Sequence, residues 1–218
     1  MYLNIIFCPS RDNLLYRMVT LNNGQKPMTA RHQIEILADS MYNFDDYSFK
    51  ILTEKDAMDK KYPVSFKKAD ILNGYISFLS NSTNLDNKKI IEDKLDELVA
   101  RKIIESRITD EEIDFSKVLQ LIDKLCKSEK LNEWLKNGNN FIGFCVGIRV
   151  SYKAVVSYTI EELEDLLNNF ETAFRNINVS KIKLSRERRR LSAYFISNIT
   201  ELSNKDSDEL TLILADQL

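Results

Sequence analysis

The sequence predicts an all-α fold, an irregular bundle of roughly seven to nine helices packed around a buried central helix near residues 140–156. Only five glycines and three prolines punctuate 218 residues. Most long stretches place apolar residues three and four apart, the spacing of one helix face. One segment, Asn140 to Val156, is more continuously apolar than any other. The expected organisation is a single helical domain over 1–218. It has a loop-rich N-terminal part to residue 62, a helical bundle over 63–202 and a short amphipathic tail over 203–218.

Each element has its own signal. Ser10 precedes Arg11–Met18, a short helix ending near Asn22, and Thr29 opens a second helix running to about Met41. Residues Tyr42 to Tyr62 are less regular. Ser65 is expected to begin a helix carrying Ala69, Ile71, Leu72, Tyr75, Ile76 and Leu79, broken by the polar run Ser80-Asn81-Ser82-Thr83-Asn84. From Asp86 to Ile104, Ile90, Ile91, Leu95, Leu98, Val99 and Ile103 form one stripe against a charged face, an amphipathic surface helix. Thr109-x-x-Glu112 reads as a capping box for a helix bearing Phe115, Val118, Leu119, Leu121, Ile122 and Leu125. Ser128 starts a short helix with Leu131, Trp134 and Leu135, for which Gly138 is the expected left-handed terminator.

Asn140–Val156 then forms the central helix, in which Gly143 and Gly147 let a neighbouring helix approach closely. Its β-branched content leaves a buried strand as the alternative. Cys145 within it reads as a small core hydrophobe. Thr159-x-x-Glu162 is a second capping box, followed at helical spacing by Leu163, Leu166, Leu167, Phe170, Ala173, Phe174 and Ile177. A last long helix is expected from about Ser185 to Leu202, burying Leu191, Phe195, Ile199 and Tyr194. Leu210, Leu212, Ile213 and Leu214 give the tail its apolar side.

Composition narrows the function classes. With 44% hydrophobic and 29% charged residues and a formal charge of -2, the chain has no overall preference for nucleic acid or membrane, so any basic site must be local. Cys8, Cys126 and Cys145 are odd in number and widely spaced, and the chain has one histidine. Neither a zinc site nor a disulfide framework is expected, and a reducing, cytoplasmic setting fits best. Met1 to Cys8 lacks the basic start of a signal peptide, and no apolar run approaches membrane-spanning length. The sequence has no P-loop, no dinucleotide-binding glycine pattern, no H-E-x-x-H and no serine-nucleophile elbow, so it names neither a catalytic set nor a cofactor.

Two stretches could hold a ligand. The first is Leu21 to Gln33, which combines a tight turn, a helix start and the only histidine. Asn23-Gly24 suits positive φ, Pro27 stops the preceding structure and Thr29 can cap the next helix. Asn22, Asn23, Gly24, Gln25 and Thr29, with Lys26, Arg31 and His32, could hold a phosphate or carboxylate at that helix N-terminus. The alternative is a sharp connection between two core helices. The second stretch is basic: Lys181, Lys183, Arg186, Arg188, Arg189 and Arg190, against the single acid Glu187. Cations in the first turn of a helix oppose its dipole at about 0.3 kcal/mol each, so something should offset them. An external anion such as a nucleic-acid backbone is one offset. Pairing with the preceding helix, through Glu171 or another acid, is the other. The acids Glu161, Glu162, Glu164 and Asp165 sit where a helix start favours them.

Arg17-Met18-Val19-Thr20-Leu21-Asn22-Asn23-Gly24-Gln25-Lys26-Pro27-Met28-Thr29 resembles the L-N-x-G-x-x-P-L/M-[ST] segment of the ParB/sulfiredoxin-like proteins of bacterial phage defence. That group contains the GmrS half of GmrSD-type restriction systems. In it the segment follows a nucleotide-binding domain and leads into an all-helical region, an order similar to that from about Asn4 to Ile199. The resemblance implies that Asn22, Gly24 and Thr29 line the nucleotide side. The family's upstream D-G-Q-[QH]-R motif has no counterpart among Met1 to Arg17. The resemblance therefore covers the C-terminal helical part only, as in a fragment or split subunit whose partner is an upstream nucleotide-binding protein.

The expected function is accordingly a helical nucleic-acid-binding or partner-binding module related to phage-defence and restriction factors, without its own catalytic motif. One rival is a nucleotide-hydrolysing enzyme that uses the Asn22–His32 loop, with Lys26 and Arg31 as phosphate ligands. The other is a purely structural interaction protein in which both stretches are solvated surface.

Overall fold

Aromatic residues on short extended segments anchor the start of the bundle. The computed structural model describes residues 46–52, 64–85 and 113–218. Within them, β1 (Lys50–Leu52) and β2 (Ser65–Lys67) pair in parallel, with Ile51 opposite Phe66. Helix α1 (Lys68–Ser80) follows directly. Ser65 therefore lies in a strand, and the helix expected to begin there starts three residues later. The cause is long-range. Phe66 packs edge-on against Phe49 at 5.3 Å and tilted against Phe141 at 5.4 Å, while the Lys50 N–H donates to Val64 O at 3.0 Å. Extended backbone puts Phe66 inward between its outward neighbours. Helix α1 ends as its polar run predicts, with Asn81 left-handed at φ 48° and ψ 48°. Asparagine tolerates that region better than most residues.

Helix α2 (Phe115–Leu125) is capped by Asp114, whose carboxylate accepts from the Lys117 N–H at 3.1 Å. The N-cap of this helix is thus Asp114, extended at ψ 170°, and Phe115 is its first residue. Helix α3 (Glu129–Lys136) has the expected Ser128 cap, accepting from the Leu131 N–H at 3.2 Å. Gly138 is not a left-handed terminator. It is the first residue of α4 (Gly138–Ser157), and Asn137 makes the corner between the two helices. Gly138 is small for another reason: a Cβ there would stand 2.6 Å from Asp70 Oδ1. Burial pushes the Asp70 carboxyl above its ordinary range.

Helix α4 is the buried central helix the sequence predicts. It packs chiefly on α6 (Leu184–Ser197) and α1, with α2 and α3 also against it. Gly143 and Gly147 face α6 so closely that a Cβ on Gly143 would lie 2.7 Å from Arg189 O, and one on Gly147 2.8 Å from Ala193 O. Helix α5 (Ile160–Asn176) carries its full capping box, Thr159 N–H donating to Glu162 Oε2 at 2.7 Å and Glu162 N–H to Thr159 Oγ1 at 3.2 Å. The long last helix is interrupted at Asn198, whose Nδ2 donates to Tyr194 O at 2.8 Å, and continues as α7 (Ile199–Leu202). Leu191, Phe195 and Ile199 are buried, and Tyr194 is half-buried. Helix α8 (Ser207–Ala215) lays Leu210 and Leu214 inward, packs on α5 and leaves Leu212 exposed.

The described residues thus form a multi-helix bundle of eight helices with one short ladder. Phe170 joins its layers, contacting Trp134, Phe174 and Phe195 at ring-centroid distances of 6.2, 6.1 and 5.0 Å. No described helix is long and apolar enough to cross a membrane. The helices expected within 10–22, 29–41 and 86–104, and the Thr109-x-x-Glu112 box, lie outside the described residues.

Candidate functional site

Successive residues on a helix turn by about 100°, so a run of arginines cannot share one face. Helix α6 accordingly divides the basic cluster. Arg188 points inward: its Nε donates to Asn140 Oδ1 at 2.7 Å, its Nη2 bonds Glu171 Oε1 on α5, and its guanidinium lies 4.7 Å from the Phe174 ring centroid. Arg189 is buried, donating from Nε to Thr83 O at 3.1 Å and from Nη1 to Asn139 Oδ1 at 3.3 Å. Arg190 lies 2.9 Å from Glu187 Oε2 and donates to Gln217 O. Lys181, Lys183 and Arg186 stay exposed. Ser185 lies inside the first turn of α6 rather than capping it, and Lys183 at the N-cap position makes no side-chain cap.

Asn140 is the hub of the inward set. It is 1% exposed, and its Nδ2 donates to Trp134 O at 3.1 Å and to Glu171 Oε1 at 3.5 Å. Its Oδ1 accepts from Arg188 and from Ser192 Oγ, the latter at 3.2 Å. Every hydrogen-bonding arm of a buried amide is thereby used, which is how a polar side chain survives in an apolar seam.

Beside this hub, α3 and α5 leave an open cleft of about 310 Å³. Buried Leu131, Trp134 and Leu167 make its floor, and exposed Asn137 and Asn168 stand at its edge. Its lining balances three cations, Lys130, Arg175 and Arg188, against three acids, Glu133, Glu164 and Glu171. Lys130 Nζ meets Glu164 Oε2 at 2.9 Å, and Ser128 Oγ donates to Glu164 Oε1 at 2.6 Å. The Ser128 bond, joined by Lys130, holds the Glu164 carboxyl below its ordinary range. Trp134 Nε1 has no hydrogen-bond partner among the described residues. The sequence does not announce this cleft; the one signal available is Asn140, a polar residue at the start of the most continuously apolar segment.

The loop residues Asn22, Asn23, Gly24, Gln25, Lys26, Thr29, Arg31 and His32 lie outside the described residues. Among those described, no group of three or more His, Cys, Asp or Glu side chains could hold a metal ion. Cys126 and Cys145 are free and buried. Burial, reinforced by the Asp123 charge, pushes the Cys126 thiol up to about 12, and burial alone raises Cys145 well above the ordinary range. At pH 8 a thiol of that pKa is thiolate in roughly one molecule in ten thousand. Both cysteines should therefore resist iodoacetamide in the folded protein and react once it is unfolded, as peptide masses would report. Comparison with family models, curated proteins and solved structures finds no match to this chain.

Proposed function

We propose that the helical bundle is a nucleic-acid-binding module whose contact surface is the corner between α5 and α6. The observation that carries this reading is an exposed, acid-free basic stretch. From Thr172 to Arg186 the chain has four cations, Arg175, Lys181, Lys183 and Arg186, and no acid. All four are exposed, and Asn176, Asn178, Ser180 and Ser185 lie exposed among them. Such a run offers cations to phosphates with no carboxylate between them along the chain, while the acids nearest its ends, Glu171 and Glu187, are paired with Arg188 and Arg190. It differs from the set expected from sequence: Arg188, Arg189 and Arg190 are occupied within the protein, and Arg175 joins instead. The segment Arg17 to Thr29 supports placing the module among phage-defence and restriction factors.

Salt dependence tests the reading. Replacing Lys183 and Arg186 together by alanine should weaken binding to DNA and lower the log–log salt slope by roughly 2, with thermal stability nearly unchanged. An unchanged slope in a folded double variant would favour the purely structural reading of the corner.

A further inference from the structure

We infer that the cleft between α3 and α5 receives an unpaired base, so that the module selects single-stranded nucleic acid over duplex. The inference rests on the nucleic-acid reading above and adds which form is bound. Corner and cleft have different chemistry yet share Arg175, which lies in the acid-free stretch and lines the cleft. The corner suits phosphate. The cleft, with as many acids as cations around it, offers a polyanion nothing. Leu131, Trp134 and Leu167 make its floor apolar beside the saturated Asn140 amide. At its edge stand the Asn168 amide and Asn137, whose Oδ1 accepts from the Asn139 N–H at 3.1 Å and whose Nδ2 remains to donate; such edges match a neutral, flat group with hydrogen-bonding atoms. Trp134 lines the cleft from below and is 7% exposed; its indole N–H is itself buried, so the ring contributes its apolar surface to the cleft floor.

A ligand with phosphates beside neutral rings is a nucleotide strand. About 310 Å³ is near the lower limit for a small-molecule site, room for one ring system and not for a stacked pair. In a duplex the base edges are already paired and stacked. In a single strand they are free to be splayed onto an apolar surface.

Trp134 is the only tryptophan in the chain, so its fluorescence reports on the cleft directly. The full chain should be titrated at low salt with a short oligothymidylate, a duplex of the same length, inorganic polyphosphate and thymidine monophosphate. The single strand should shift or quench Trp134 emission and bind roughly tenfold more tightly than the duplex. Polyphosphate should bind with emission unchanged. Equal affinity for strand and duplex with silent Trp134 would overturn the cleft assignment while leaving the corner intact. A mononucleotide binding as tightly as the strand would overturn strand selection. Failure of all four to bind would overturn the corner as well. Asn168→Leu, at an exposed helical position lining the cleft, removes the amide and narrows the cleft without adding an aromatic face, so it should bring single-strand affinity down to the duplex level and leave polyphosphate binding alone.

Discussion

Gly143→Ala is expected to destabilise the protein by about 3 kcal/mol, and Gly143→Leu to abolish its cooperative unfolding transition. Helix propensity alone argues the opposite, since exchanging glycine for alanine inside a helix gains about 1 kcal/mol. Contact decides the sign. The added methyl would stand 2.5 Å from Ser192 Cβ, 2.7 Å from Arg189 O and 2.9 Å from Ala193 N. Two of those atoms are backbone and cannot rotate away, so α4 and α6 must separate and the packing between them opens. Gly138 makes the contrast. Its new methyl would meet the end of the Asp70 side chain, which can move, so Gly138→Ala should cost much less. Urea denaturation of the two variants measures both. A Gly143→Ala protein as stable as the parent would mean that α4 and α6 are not in backbone contact.

Arg188→Met should cost about 2–3 kcal/mol, the second largest effect, while Arg186→Ala should stay within about 0.5 kcal/mol. Removing the guanidinium deprives Glu171 and Asn140 of their strongest donor and empties the space over Phe174. The Glu171 side chain retains 20% exposure, so water recovers part of the loss, and the cost lies below that of breaking a fully buried pair. Adding Glu171→Leu to Arg188→Met should return some of the stability, since no uncompensated carboxylate then remains. Nucleic-acid affinity should follow Arg186 and not Arg188. A stability loss at Arg186 with an affinity loss at Arg188 would reverse the division of the cluster.

Local signals were legible in the sequence where the deciding interaction is itself local. Thr159 and Glu162 lie one turn apart and cap α5 as their spacing implies, and Ser128 does the same for α3. Gly143 and Gly147 were legible because a residue without a side chain in an apolar helix has few other uses. The ladder between 50–52 and 65–67 was not, because three residues on each side hold together through Phe49, Phe66 and the distant Phe141. Gly138 misled for a related reason: nothing near it in sequence reveals Asp70. The basic run was visible as a count, but its division depends on angles around α6 and on which neighbours each face meets. The cleft was hidden because its walls come from α3 and α5, with α4 and α6 behind them.

The glycine pair and the Asn140 hub act on one seam in complementary ways. Gly143 meets Arg189 to Ala193 and Gly147 meets Ala193 and Ile196, so α4 and α6 run in the same direction past one another. A smooth glycine stripe of this kind is nearly degenerate: slipping α6 by one turn, about 5.4 Å, would offer each glycine a similar groove. The hub removes the degeneracy. After such a slip Arg188 would face neither Asn140 nor Glu171, and Ser192 would lose its acceptor, leaving a cation and several polar groups stranded in the interior. Closeness comes from the glycines and registry from the polar atoms, so a core redesigned to be wholly apolar at these positions would keep its cohesion and lose its unique alignment.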